Sequence, residues 1–207
     1  MDSGTGRDAG GHSARERILD SGLHLFAEKG FTGATTKEIS AKAGVNEVTL
    51  FRHFGSKKAL FASVIQERSH LGEIEARMSV DTDVPVDDLF ERNAKAVLAA
   101  LKASRHLSMM ILGDAWKMPE MQWMTCDPSV EKGVDILAEL MTELMATGKA
   151  REVDPRVAAR ALIGMVQSYY VTRHLLGGKE PGPEEDERVI SGFVDIFLDG
   201  VRQEVVR

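Results

Sequence analysis

Arg52 can offer two parallel N–H donors, Asn46 a donor beside an acceptor, and Thr49 a hydroxyl beside a methyl, all within eight residues, Asn46 to His53. Paired donors match O6 and N7 of guanine, an amide matches adenine, and a hydroxyl with a methyl suits a phosphate or a thymine methyl. Glu47, in the same stretch, only accepts, so it repels a phosphate backbone unless a cytosine amine donates to it. Thr36 and Lys37, and again Lys57 with Lys58, stand at predicted helix starts, where N–H groups and the helix dipole favour a phosphate. This is contact chemistry, not bond making. The chain holds no H-E-x-x-H, P-loop, G-x-G-x-x-G, G-x-S-x-G or Cys/His nucleophile pair, so no enzyme is expected.

The elements that must position these groups are short helices. Apolar periodicity through Ile18, Leu19, Leu23, Leu25 and Phe26 predicts a first helix from Ser13 that Lys29-Gly30 stops. Thr35 and Glu38 form a capping box ahead of ISAKA, and Gly44 breaks this second helix. Asn46 caps a third, EVTLFRHF, and Ser56 caps a fourth, KKALFASVIQER. Ser40 where two helices cross, Gly44 in the turn and Leu50 facing back satisfy a helix-turn-helix, with Ile39, Ala43 and Val45 on the inner side. Asn46, Glu47, Thr49, Arg52 and His53 are then left outward on a helix that fits the major groove.

Charge separates this part from the rest. Through Leu60 there are nine Lys and Arg against seven Asp and Glu, whereas the remainder holds seventeen against twenty-five, so the net charge of −6 belongs to the C-terminal part. A single cysteine, Cys126, cannot close a bridge within the chain and makes a weak redox sensor. Residues 1–12 are glycine-rich and polar, and read as a mobile arm without the apolar core of a signal peptide. No run approaches about 18 apolar residues, so a cytoplasmic protein without a membrane span is expected. Beyond residue 72, helices are expected at Val86–Ser104, His106–Lys117, Ser129–Thr147, Pro155–Leu176 and Glu187–Val205, with 177–186 as an exposed loop. That makes an all-α chain of nine helices.

The segment TTKEISAKAGVNEVTLFRHFGSKKALF resembles the DNA-binding segment of the TetR (tetracycline repressor) family, and the resemblance runs from Arg15 to about Ile65. It implies phosphate contacts from Thr36, His53 and Lys57 and base-proximal roles for Asn46, Glu47, Thr49 and Arg52. Two residues depart from the family pattern: Phe51 stands where a tyrosine is usual, and Glu47 where a base is frequent. The implied organisation is a helix-turn-helix DNA-binding domain at 13–56, joined by helix four to a ligand-binding and dimerisation domain at 57–207.

Eight of the ten methionines fall between Met109 and Met165, alongside Trp116 and Trp123. Adaptable thioethers suit a pocket for an apolar or aromatic molecule, and the resemblance implies such a pocket. Met109, Met110, Asp114, Trp116, Met121, Trp123, Met124, Met141, Met165 and Tyr169 are its candidates, Asp114 reading more readily as a solvated outer residue. His106 and His174 lack a second ligand one turn away and make poor metal ligands, so neither a metal nor a cofactor is expected. The last two helices are apolar on more than one side, through Ala161, Leu162, Met165 and Tyr169 and through Phe193, Val194, Phe197 and Val201. A second copy is the simplest cover, so a homodimer is expected. The expected function is a ligand-responsive regulator, most simply a repressor leaving a palindromic operator when a small effector binds. The alternative is a helical small-molecule binder without sequence-specific DNA binding.

Overall fold

The computed structural model describes residues 13–68, 78, 80–81, 83–113 and 128–201. The expected arm at 1–12, together with Asp114, Trp116, Met121, Trp123, Met124 and Cys126, lies outside them. The described residues form nine α-helices and no regular strand: α1 Ala14–Gly33, α2 Thr36–Lys42, α3 Glu47–Phe54, α4 Lys57–Glu67, α5 Val86–Ala103, α6 Arg105–Gly113, α7 Pro128–Ala146, α8 Pro155–Tyr169 and α9 Pro183–Val201. The chain divides into two compact units. The first holds α1–α4 and Met110–Gly113; the second holds α5, the start of α6, and α7–α9. α4 therefore groups with α1–α3, whereas the expected domain limit fell just ahead of it.

In the first unit the caps decide where each helix begins. The Ser13 hydroxyl accepts from Glu16 N at 3.2 Å, Asn46 Oδ1 from Thr49 N at 2.8 Å and the Ser56 hydroxyl from Ala59 N at 3.0 Å. Gly30 has φ 71°, so the regular part of α1 ends where the sequence places a C′ glycine, and a short turn carries the chain to Ala34. Ile18, Leu19, Leu25 and Phe26 of α1 are buried with Leu60, Phe61, Val64 and Ile65 of α4. At their crossing a side chain on Gly22 would stand 3.2 Å from Val64 Cγ2, tighter than ordinary contact. Phe26, Phe31 and Phe61 meet with centroids 5.0–6.0 Å apart, each pair of rings adding about 0.5–1.5 kcal/mol beyond the buried area. Arg68 pairs with Glu16 at 2.6 Å and Asp20 at 2.9 Å, and Arg15 grips Glu67, so the ends of α1 and α4 are tied as well.

The core of the second unit joins α5, α7, α8 and α9 around Leu89, Phe90, Leu140, Met141, Leu162, Val166, Ile190 and Phe197. Arg151, in the α7–α8 connection, donates from N and Nε to the carbonyls of Val201 and Gly200 at 3.0 and 2.7 Å, which ties that connection to α9. Two boundaries differ from expectation. α9 begins at Pro183, not Glu187, because a proline in the first turn followed by Glu184, Glu185 and Asp186 suits the positive end of a helix dipole. The expected regular end of α8 is a π-helical turn over Tyr170–Leu175. Its carbonyl at His174 accepts from Arg105 Nη1, and at Gly177 a side chain would sit 2.3 Å from the Arg173 carbonyl oxygen, so the exit from this wider turn requires glycine.

Candidate nucleic-acid interface

Ser40 and Leu50, at 3% and 0% exposure, lie between the helices as the motif requires, and Gly44 has φ 66°, a left-handed turn that glycine enters without strain. The capping box is complete: Thr35 Oγ1 accepts from Glu38 N at 3.1 Å, and Glu38 Oε2 accepts from Thr35 N at 3.0 Å. Lys29 lies 2.7 Å from Glu38, and that hydrogen bond, with those from Thr35, holds the Glu38 carboxyl down at about 2. Arg17 Nε donates to the Ala43 carbonyl at 3.0 Å, fastening the turn to α1. α3 is thus held at both ends, by the Asn46 cap and by Gly55 at φ 74°.

On this frame the expected residues separate. Lys37, Asn46, Arg52 and His53 are exposed, while Thr36, Glu47, Thr49 and Lys57 are half-buried. Asn46 Oδ1 accepts from both N and Oγ1 of Thr49, at 2.8 and 2.9 Å, so a two-point adenine contact would have to take the carbonyl from the cap. Thr36 Oγ1 donates to Glu47 Oε1, so the hydroxyl expected on a phosphate is engaged across the helix pair. Lys57 Nζ lies 4.6 Å from the centre of the Phe31 ring and 3.5 Å from the Thr32 carbonyl oxygen, which fixes its charge beside the start of α4. Val48 was not among the expected residues, yet it is 76% exposed and lies on the outward side of α3 next to Arg52. An exposed valine flanked by Glu and Thr was the available signal, since it lies opposite Leu50 and Phe54 on the helical wheel. Phe51 is 43% exposed.

Elsewhere the side chains fall less neatly. Of the described pocket candidates, Met141 lines a cavity of about 270 Å³ with Phe90, Leu144 and Leu198. Met110 is buried, Met109 is 40% exposed and Met165 half-buried. Tyr169 donates to Asp186 Oδ1 at 2.8 Å, and neither this cavity nor the groove of about 520 Å³ between α5 and α9 is lined by Tyr169. Asp186 also takes Lys102 at 2.9 Å and His174 Nε2 at 2.7 Å. Burial pushes the Asp186 carboxyl up, but these three hydrogen bonds outweigh it and leave the group below its ordinary range. Burial and Asp186 together push the Tyr169 phenol up. Among the interface candidates, Leu162, Tyr169, Val194, Phe197 and Val201 belong to the chain's own core, because residues spaced three and four apart face inward as readily as outward. Ala161 is exposed, and Met165 and Phe193 are half-buried.

The family model for bacterial regulatory proteins of the tetR family matches residues 18–64, and the model for the C-terminal domain of AefR-like transcriptional repressors matches residues 90–200. The chain belongs to the TetR family of transcriptional regulators. The helix-turn-helix above is that family's N-terminal DNA-binding module, and the α5–α9 unit carries the second match. YvkB, an HTH-type transcriptional regulator of Bacillus subtilis (strain 168), is 43% identical over 54 residues, which span 26% of this chain and 29% of YvkB. A TetR-family regulator of Mesorhizobium loti MAFF303099 superposes with TM-score 0.78 at 23% identity, over 92% of this chain and 97% of its own. The flavonoid-responsive regulator FrrA superposes with TM-score 0.73 at 22% identity, over 93% and 98%. Among the described residues no helix is long and apolar enough to cross a membrane.

Proposed function

We propose that this TetR-family regulator is a cytoplasmic repressor without catalytic activity of its own, which grips a near-palindromic operator as a homodimer and releases it when a small apolar or aromatic molecule binds. The observation that carries the reading is α3, held at both ends and presenting Val48, Thr49 and Arg52 away from its own core. Arg52 reads guanine, Val48 and Thr49 pack on a thymine methyl, and Lys37, His53 and Lys57 contact phosphates. Repression is favoured by the likeness of residues 90–200 to an AefR-like repressor domain. Ligand response is favoured by the fold shared with a flavonoid-responsive regulator.

Residues 13–56 would form the reading domain and 57–207 the effector and dimerisation domain, with α4, which packs with α1–α3, as the helix that joins them. The cavity beside Met141, about 270 Å³, is just below the roughly 300–1,000 Å³ of typical ligand pockets, so an effector would widen it. For the dimer, α8 leaves Val157, Ala161 and Gly164 exposed, and α9 leaves Ile196 and Gly200 exposed beside half-buried Phe193. Small residues interleaved with large ones let two copies approach closely. Binding to the chain's upstream intergenic DNA, measured across a salt series, tests the reading: log affinity should fall linearly with log salt, and unrelated duplexes should bind far more weakly. Equal affinity for all duplexes would favour a plain small-molecule binder.

A further inference from the structure

We infer that Glu47 reads an exocyclic amine of a base, a cytosine amine by preference, and that Thr36 is the positioning residue that aims it. This deepens the reading of α3 as the major-groove helix and rests on it. Thr36 opens α2 and Glu47 opens α3, and the Thr36 hydroxyl donates to Glu47 Oε1. One carboxylate oxygen is therefore pinned across the helix pair, which leaves Oε2 for a further donor. A helix that enters the groove brings its first turn nearest the base edges. There the carboxylate meets two kinds of group: acceptors, which repel it, and exocyclic amines, which donate to it. Adenine sets its amine beside the N7 lone pair, whereas cytosine sets its amine beside a C–H, so a single fixed oxygen acceptor fits cytosine better.

The Thr36 contact makes a sharper statement than Glu47 alone. Glutamine in place of Glu47 can be held in two ways, because a hydroxyl also accepts: Thr36 donates to the amide oxygen and Nε2 stands where Oε2 was, or Thr36 accepts from Nε2 and the amide oxygen stays towards the base. In the first arrangement an acceptor becomes a donor in the same place and the preferred base changes to one that accepts, guanine or thymine; in the second a neutral oxygen replaces a charged one and the cytosine preference weakens. A glutamine free of Thr36 would instead turn to adenine, with which it pairs through both atoms.

The test selects a random-sequence duplex pool with the full-length protein and remakes the enriched site with each of the four base pairs at every position. Wild type should show one position per half-site where cytosine exceeds the other bases by about tenfold. E47Q should move that position to guanine or thymine or cut its cytosine preference severalfold, T36V should reduce the cytosine preference to within about twofold, and T36S should restore it. Thermal midpoints taken alongside separate loss of aim from loss of fold. A cytosine preference that survives T36V in folded protein, or an enriched site indifferent to E47Q, overturns this inference while leaving the major-groove reading intact. No enrichment by wild type overturns both.

Discussion

At Asn46 the helix cap and a base contact compete for one carbonyl. Its Oδ1 already accepts twice from Thr49, so the residue's first duty is to start α3. Asn46→Ala should lower folding stability by about 1 kcal/mol, read as a shift in the urea midpoint. Asn46→Asp keeps the acceptor and should leave that midpoint nearly in place, yet weaken binding to every duplex, because a carboxylate then faces phosphates. If both substitutions act alike on DNA and on stability, the cap is not the reason for the residue. Arg52 and Lys57 divide differently. Arg52→Ala should relax base preference at one operator position, by about 1–3 kcal/mol of discrimination, whereas Lys57→Ala should weaken all sequences together and flatten the salt slope by about one. Lys57 also lies over Phe31, so its removal should additionally cost about 0.5–1 kcal/mol of stability. Competitive binding with single-base operator variants separates the two.

At the scale of elements, α2 depends on a charge. Glu38 is held at about 2 by Lys29 and Thr35, against an ordinary 4.5. A carboxyl depressed in the folded state stabilises above its unfolded pKa, and that contribution disappears as pH falls from 4.5 towards 2. Helical signal and urea midpoint should therefore decline across that window, and Glu38→Gln should remove part of the slope while lowering the midpoint at neutral pH. The second unit has its own tie, in which Asp186 of α9 joins Lys102 of α5, Tyr169 of α8 and His174 of the π-helical turn. Asp186→Ala would leave a buried phenol and imidazole without their acceptor, at about 1–3 kcal/mol for each buried group left unsatisfied. Unfolding followed by the signal of the C-terminal unit should show the loss. Asp186→Asn, which keeps one acceptor oxygen, should show less of it.

For the whole molecule the exposed stripe on the last two helices matters most. Ile196 is 66% exposed and Val157 64%, and two copies meeting there would bury both. Ile196→Glu should give a monomer in sedimentation at micromolar concentration and lose most operator affinity, since a single reading helix keeps only half the site. A variant that stays dimeric would move the interface elsewhere.

Much of the N-terminal unit was legible in the residues because its signals are local. A cap oxygen, a glycine with positive φ and a box of Thr35 and Glu38 act within a few positions, so their outcome depends little on the rest of the chain. The start of α9 was misread for the opposite reason. The run of Gly and Pro at 177–186 looks like loop by composition, while Pro183 with three acids is a favourable first turn once a core receives Ile190 and Val194. The interface candidates on α8 and α9 were legible as apolar helices, yet periodicity does not say which side the chain covers itself.

Helix order and the helix-turn-helix were determined by sequence alone, since they follow from contacts three and four residues apart. Which carboxylate oxygen Thr36 would take, which apolar residues the core would claim, and where α8 would widen into a π-turn were decided in three dimensions. Those outcomes depend on groups far apart in the chain, as with Arg105 and His174 or Lys102 and Asp186, whose meeting only packing can arrange.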